Sequence, residues 1–221
     1  MPDDLDETRR PGTIVRIDLQ GRRVRGWVVG VEVEPEPGVR LRPLAKVTGR
    51  GPAPEVIDLA RWAAHRWAGR TVHLLRTASP ERAVRTLPPA QVHRRAAGWT
   101  PSSSPALLRR PPAADPGPVV ASLVGRGPVI VIAPTLRQVR ARAADARRRG
   151  FGVAVVPDEW AQAAAGADIV VGTRTAVWAP APGLGGIVVI DEHDEGLQQE
   201  QAPTWHARDV AVERARRAGV P

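Results

Sequence analysis

The 221-residue chain contains no cysteine and a single lysine, Lys46. Without cysteine it has no disulfide framework, no thiolate zinc site and no cysteine nucleophile. It also lacks an apolar run that approaches the roughly 20 residues of a membrane span. Because the N-terminus is acidic where a secretory signal is basic, we expect a cytoplasmic protein with no membrane partner.

Basic residues outnumber acidic ones, with 32 lysine and arginine residues against 23 aspartate and glutamate residues. The resulting net charge of +9 favours a polyanionic partner, because neutralised phosphates release their counterions. A GC-rich coding bias explains why arginine replaces lysine, but it does not explain the excess of positive charge. We therefore expect nucleic acid as the partner.

The first part of the chain alternates apolar and polar residues in short runs separated by glycine, a pattern typical of a small β-rich unit. On a half-buried sheet, this spacing places the interleaved arginines on the solvent face. Such a face could bind phosphates, with Trp27 nearby to stack on bases, or it could be an ordinary charged exterior. The candidate DNA-binding residues are Arg16, Arg22, Arg23, Arg25, Arg40 and Arg42.

An irregular segment divides the chain. A helical pattern begins at Pro54 and ends near Gly69, and the sequence then loses regular periodicity. A run of serine and proline follows, which is typical of a linker. We place this linker at residues 99–105, between a β-rich domain at 1–98 and a second unit at 106–221.

The second unit alternates apolar strand candidates with helical patterns. Short connections between such elements are the signature of a doubly wound parallel α/β sheet, and near-continuous apolar strands agree with burial on both faces. The predicted strands are residues 106–109, 128–133, 152–156, 168–172 and 186–190, and the predicted helices are residues 135–149, 158–165 and 204–219.

Two strands of this unit end in side chains that favour ligand binding. Asp191 and Glu192 follow an apolar strand, at the edge where open α/β sheets bind ligands. In ATP-driven motors the first such carboxylate holds Mg²⁺ and the second positions the attacking water. Thr173 and Arg174 follow another strand, where they could hold a DNA phosphate or form an ordinary solvated strand exit.

The phosphate loop that an ATPase requires is missing, because no G-x-x-x-x-G-K-[ST] sequence occurs. The segment after the first predicted strand contains four prolines, which remove N–H donors and fix φ. Asp115 adds a charge that opposes a triphosphate, and Arg109 and Arg110 cannot rebuild the loop. We expect no ATP hydrolysis by this chain, and nucleotide binding without turnover is the alternative.

A metal-dependent hydrolase is another alternative, suggested by the cluster of Asp191, His193, Asp194 and His206. Such sites need three or four ligands that converge from separate loops. Three of these side chains lie too close in sequence to converge easily, so we expect no metal site here.

Several motifs, taken in order, resemble the PriA family of bacterial primosomal proteins (primosomal protein N-prime). The resemblance implies an N-terminal 3′-DNA-binding-like domain followed by a RecA-like helicase lobe with a degenerate phosphate loop, as in the actinobacterial branch. The matching motifs are Pro11-Gly12-Thr13-Ile14-Val15-Arg16, Gly21-Arg22-Arg23-Val24-Arg25-Gly26-Trp27-Val28, Gly172-Thr173-Arg174, Asp191-Glu192-His193-Asp194 and Trp205-His206-Ala207-Arg208-Asp209.

The resemblance also implies a function. The partners of the chain would be forked or single-stranded DNA, primosome proteins and the loader of the replicative helicase. The chain would act as a scaffold in replication restart. The alternative is an ATP-dependent 3′–5′ DNA helicase. Asp191 and Glu192 would then be vestiges of the Mg²⁺ and water positions. The family's cofactors are ATP with Mg²⁺ and zinc, whose key residues are absent here, and we expect a reading frame that extends beyond both ends of the chain.

Overall fold

Two β-sheets organise the chain, a three-stranded antiparallel sheet and a four-stranded parallel sheet. They were located in a computed structural model that describes residues 10–38, 41, 43–90, 105–111 and 114–221. The antiparallel sheet lies in the N-terminal part and the parallel sheet in the C-terminal part. The prediction of an α/β chain with a β-rich N-terminal unit and a parallel α/β lobe is therefore confirmed.

The N-terminal sheet has the order β2-β1-β3, where β1 is Ile14–Leu19, β2 is Arg22–Trp27 and β3 is Lys46–Gly49. Strands β1 and β2 form a hairpin whose two-residue turn is Gln20-Gly21, with φ values of 49° and 75°. Positive φ at both central residues is the geometry that suits the twist of a two-residue hairpin. This turn fixes the register, because it places Leu19 opposite Arg22.

Two helices follow the sheet, α1 at Pro54–Arg66 and α2 at Thr71–Ala78. Helix α1 begins with proline at a position where its missing N–H costs nothing, and it carries an acidic residue in its first turn and basic residues in its last. The helical pattern read from the sequence is confirmed for α1. Helix α2 was not predicted, although its leucines Leu74 and Leu75 are buried.

The parallel sheet has the order β5-β6-β4-β7, and every pairing in it is parallel. Helix α3 precedes it, and the remaining helices alternate with the strands, apart from two 3₁₀ helices at Arg174–Trp178 and Glu195–Leu197. The elements are α3 at Gly117–Val124, β4 at Val129–Ile132, α4 at Leu136–Arg148, β5 at Val153–Val155, α5 at Trp160–Gly166, β6 at Ile169–Gly172, β7 at Gly186–Val189 and α6 at Ala207–Ala218.

The strand predicted at residues 106–109 was wrong. These residues belong to neither sheet, and the side chains of Leu107 and Leu108 are 66% and 52% exposed. Strand β4 is already paired on both sides, with β6 and with β7, so the centre of the sheet has no place for another strand. The lobe begins instead with α3, which was not predicted.

Helices α1 and α2 share one hydrophobic core with the parallel lobe. Strand β4 separates the lobe into two faces, because Ile130 and Ile132 join the core that contains α1 and α2 while Val129 and Val131 join a second core under α3 and α4. Buried members of the shared core include Val56, Leu59, Ala63, Leu74, Ile130, Val170, Trp178, Trp205 and Val210.

A buried hydrogen bond reinforces this contact, because the indole N–H of Trp160, at the start of α5, donates to the carbonyl of Ala78 of α2 at 3.0 Å. Within the lobe, the buried Arg214 of α6 donates to the carbonyl of Val177 at 2.5 Å. The division into domains at 1–98 and 106–221 stays a prediction, and most of the linker, residues 99–104, lies outside the described residues. No helix in the described ranges is long and apolar enough to cross a membrane.

Candidate nucleic-acid interface

A row of cations crosses the N-terminal sheet. Arg16 of β1 lies opposite Arg25 of β2 on one side and opposite Lys46 of β3 on the other. Residues directly opposite each other point to the same face of a sheet, with Cβ atoms roughly 5 Å apart. The three side chains therefore form a single row across the three strands, which we call the basic face.

The other predicted arginines fall into different positions. Arg23 lies on the same side of the sheet as the basic face, but Asp18 is its cross-strand partner and the two side chains form an ion pair at 3.5 Å. Arg22 lies on the opposite face, because it pairs with Leu19. The expectation of one continuous arginine face therefore needs correction, since the hairpin register separates Arg22 from the rest. Arg40 and Arg42, also predicted, lie outside the described residues.

Arg25 occupies the most constrained position on the basic face. Its guanidinium lies 5.3 Å from the ring centre of Trp27 and donates to the carbonyl of Pro80 at 3.3 Å. Partial burial, followed by the positive charges of Arg16 and Arg76, lowers the pKa of Arg25 below its usual value. The hydrogen bond from Trp27 to Ser79 and the bond from Arg25 to Pro80 hold the end of α2, which carries Arg76, beside the sheet. Sequence reasoning missed Arg76 because nothing in the local pattern indicates that α2 folds back onto β2.

The charge of the basic face is not neutralised by the chain in the parts that the structure describes. Each ion pair found there joins other residues, and among the arginines of the N-terminal sheet only Arg23 has a carboxylate partner. A row of uncompensated guanidinium and ammonium groups is the arrangement that binds phosphate oxygens without reading sequence. The basic face is therefore the best candidate for a nucleic-acid interface.

The carboxyl edge of the parallel sheet carries the second set of predicted residues. Asp191 and Glu192 follow β7, and Thr173 and Arg174 follow β6, so all four lie at the same edge of the sheet. The structure thus brings them to one edge, but it also gives most of them partners within the chain.

Both carboxylates at this edge are engaged. Asp191 accepts a hydrogen bond from the amide of Gln138 at 2.7 Å, and Glu192 forms an ion pair with Arg208 at 2.8 Å. The hydrogen bond from Arg208 lowers the pKa of Glu192. Arg174 is half-buried and donates to Gln199 at 3.1 Å.

Asp115 lies at the N-terminus of α3, and it is also satisfied internally. It accepts from the backbone N–H of Gly117 at 2.9 Å and forms ion pairs with Arg142 at 3.2 Å and Arg149 at 2.5 Å. Arg110 donates to the backbone carbonyl of Asp115, and Arg109 is exposed. A carboxylate thus occupies a helix N-terminus, where a nucleotide phosphate is typically bound. That this segment is a degenerate phosphate loop stays a prediction.

Two of the four residues that suggested a hydrolase cap the start of a helix. His206 accepts the backbone N–H of Arg208 at the start of α6, and Asp194 accepts the backbone N–H of Gly196 at the start of a 3₁₀ helix. His193 is exposed. Within the described residues, no group of three or more histidine, aspartate or glutamate side chains is arranged to hold a metal ion.

Comparison with known proteins relates the chain to one family. Residues 1–80 match the family model of the PriA 3′DNA-binding domain (3′BD). The probable replication restart protein PriA of Mycobacterium tuberculosis is 29% identical over an alignment of 259 positions, which covers 99% of this chain and 40% of the relative. The replication restart proteins PriA of Bacillus subtilis and of Synechocystis are 42% identical over 53 residues and 47% identical over 60 residues, covering 24% and 26% of this chain and 7% of each relative. The chain thus spans less than half the length of these relatives.

Proposed function

Because the chain carries a PriA 3′DNA-binding domain and is homologous to replication restart protein PriA, we propose that it binds DNA at stalled or abandoned replication forks through its basic face. The observation that carries the proposal is the row of Arg16, Arg25 and Lys46, which has no carboxylate partner among the described residues. Neutralising DNA phosphates with this row would release counterions and supply binding free energy.

The proposal extends to the parallel lobe, which we assign a scaffolding role. Asp191 and Glu192 at its carboxyl edge are engaged by other side chains of the chain. Asp115 accepts the N–H of Gly117 and pairs with Arg149, groups that could otherwise bind a phosphate. Phosphoryl transfer depends on positioning and on stabilising charge at the phosphate. The lobe contains no lysine, and among its described residues the N–H of Gly117 at the start of α3 is already bonded to Asp115. By resemblance, the scaffold would contact primosome proteins and the loader of the replicative helicase.

The second candidate is an ATP-dependent 3′–5′ DNA helicase. It is favoured by one observation, the Asp191-Glu192 pair at the carboxyl edge of a parallel sheet, where motor ATPases hold Mg²⁺ and water. The two candidates differ in whether the chain turns over ATP.

ATP turnover separates them. The purified chain with Mg²⁺, ATP and forked DNA should retard the DNA on a native gel without nucleotide and should show no DNA-stimulated phosphate release. Asp191→Asn should leave both results unchanged, because Asp191 has no reaction to support. A DNA-dependent rate that disappears in Asp191→Asn would instead establish the helicase and overturn the scaffold.

A further inference from the structure

Building on the proposed function, we propose that the DNA-binding surface continues from the sheet onto α2, where Arg76 binds a DNA phosphate, and that Ser79 and Trp27 are the positioning residues that join α2 to the basic face. Arg76 and Ser79 lie within residues 1–80, which match the 3′DNA-binding domain model, but outside the candidate DNA-binding residues predicted from the sequence. The inference rests on the contacts between β2 and the end of α2.

A chain of two hydrogen bonds connects the sheet to the helix. The indole N–H of Trp27 donates to the hydroxyl oxygen of Ser79 at 2.8 Å, and that hydroxyl donates to the carbonyl of Leu75 at 2.7 Å. Ser79 is 6% exposed, so it exchanges these partners with water poorly. The link therefore fixes the last turn of α2 relative to β2.

Arg25 is held by the same link. Its guanidinium lies over the ring of Trp27 and donates to Pro80, the residue that follows Ser79. Displacing Trp27 would therefore displace the cation that the ring supports. Arg25 and Arg76 are thus oriented by one pair of side chains, Trp27 and Ser79.

The charges on this surface lack a counterion in the described parts of the chain. Arg76 is exposed, and no carboxylate there pairs with Arg16, Arg25 or Arg76. Burial lowers the pKa of Arg25, and the positive charges of Arg16 and Arg76, which repel its own charge, add to this effect. A phosphodiester group between them would relieve this repulsion, since one anion can accept charge-assisted hydrogen bonds from more than one guanidinium.

Helix α2 provides a rigid support for Arg76. Leu74 and Leu75 are buried in the shared core, and the carbonyl of Ala78 accepts the indole N–H of Trp160 from the lobe. The backbone that carries Arg76 is therefore fixed before DNA binds, which lowers the cost of ordering this part of the surface.

The first test compares Arg76→Ala with Arg70→Ala by fluorescence anisotropy on duplex and single-stranded DNA across a salt series. Arg70 is a matched control because it is exposed and precedes the other end of α2. Loss of one phosphate contact should reduce the log–log salt slope by about 0.9 on duplex and about 0.7 on single strands, and Arg70→Ala should leave it unchanged. Between 50 and 200 mM salt, the wild type should lose about 3.5-fold more duplex affinity than Arg76→Ala.

The second test addresses positioning through a double-mutant cycle. Ser79→Ala removes the acceptor of Trp27 and should reduce the salt slope in the wild-type background. Its effect should be smaller when Arg25 is already alanine, and it should be negligible when both Arg25 and Arg76 are alanine. Ser79→Thr keeps the hydroxyl and should restore the slope. A purely structural role for Ser79 would instead lower the unfolding midpoint with no coupling to Arg25.

The outcomes separate this inference from the function on which it rests. If Arg16→Ala and Arg25→Ala flatten the slope while Arg76→Ala and Arg70→Ala behave alike, the extension onto α2 is wrong and the basic face stands. If none of the four variants alters DNA binding, the proposed function fails as well. Arg76 is exposed, so its alanine variant is expected to fold and to give a clear answer.

Discussion

Replacing Arg16 and Arg25 together by alanine should lower the log–log salt slope of DNA binding by about 1.8 on duplex DNA and about 1.4 on single-stranded DNA. The reason is that each residue is expected to neutralise one phosphate, and a lost contact removes about 0.9 or 0.7 from the slope. The affinity of the wild type should therefore fall about 12-fold more than that of the variant between 50 and 200 mM salt. Anisotropy titrations at four or more salt concentrations measure the slope.

The hairpin itself provides the control for this prediction. Arg22 belongs to the same strand as Arg25, but the register places it on the opposite face of the sheet. Arg22→Ala removes the same net charge as Arg16→Ala or Arg25→Ala alone, so any effect of overall charge alone should be the same in these three single variants. Equal losses for Arg22→Ala and for either Arg16→Ala or Arg25→Ala would contradict the assignment of the basic face.

Truncating Leu59 to alanine should destabilise the parallel lobe as well as α1, by about 2 to 5 kcal/mol in the free energy of unfolding. Leu59 is 1% exposed and belongs to the core that α1 and α2 share with β4 and β6. Denaturant unfolding should remain a single transition, and backbone amides of Ile130 and Val170 should exchange faster by the corresponding factor.

A matched leucine tests the specificity of that result. Leu136→Ala on α4 removes the same atoms from a side chain that is 64% exposed, and it should change stability by no more than about 0.5 kcal/mol. Two separate transitions, with the lobe transition unmoved by Leu59→Ala, would show that the two halves do not share a cooperative core.

The elements that the sequence predicted correctly are those whose signal is local. Strand β4 is a run of buried β-branched residues, and α4 begins at Thr135, whose side chain accepts the N–H of Gln138. The carboxyl edge was predicted because Asp191 and Thr173 each follow an apolar strand, and the strands of a parallel sheet end at a common edge.

The predictions that failed depended on tertiary context or on proline. Helix α3 was not predicted. Pro116 and Pro118 flank its first residue, and proline is tolerated in the first turn, where the N–H groups have no helical partner. The apolar pair Leu107 and Leu108 suggested a strand, but an apolar run does not determine whether a segment pairs with a sheet.

The candidate site was predictable in composition but not in geometry. Arginines interleaved with apolar residues indicated a charged face, whereas the two-residue turn at Gln20-Gly21 decides which of them share it. Arg76 joins that surface through a fold that brings α2 against β2. A contact between distant segments cannot be predicted from local sequence patterns, so Arg76 became a candidate residue only from the structure.

The salt dependence of wild-type binding to forked DNA tests the central claim most directly. Arg16 and Arg25 alone should contribute about 1.8 to the slope where the DNA is duplex, so the wild-type slope of log affinity against log salt should be steeper than about −1.8. We expect measurable binding at 50 mM salt that weakens at least 12-fold by 200 mM. Absence of binding at 50 mM, or an affinity that does not change with salt, would contradict the account of this chain as a fork-binding protein that acts through its basic face.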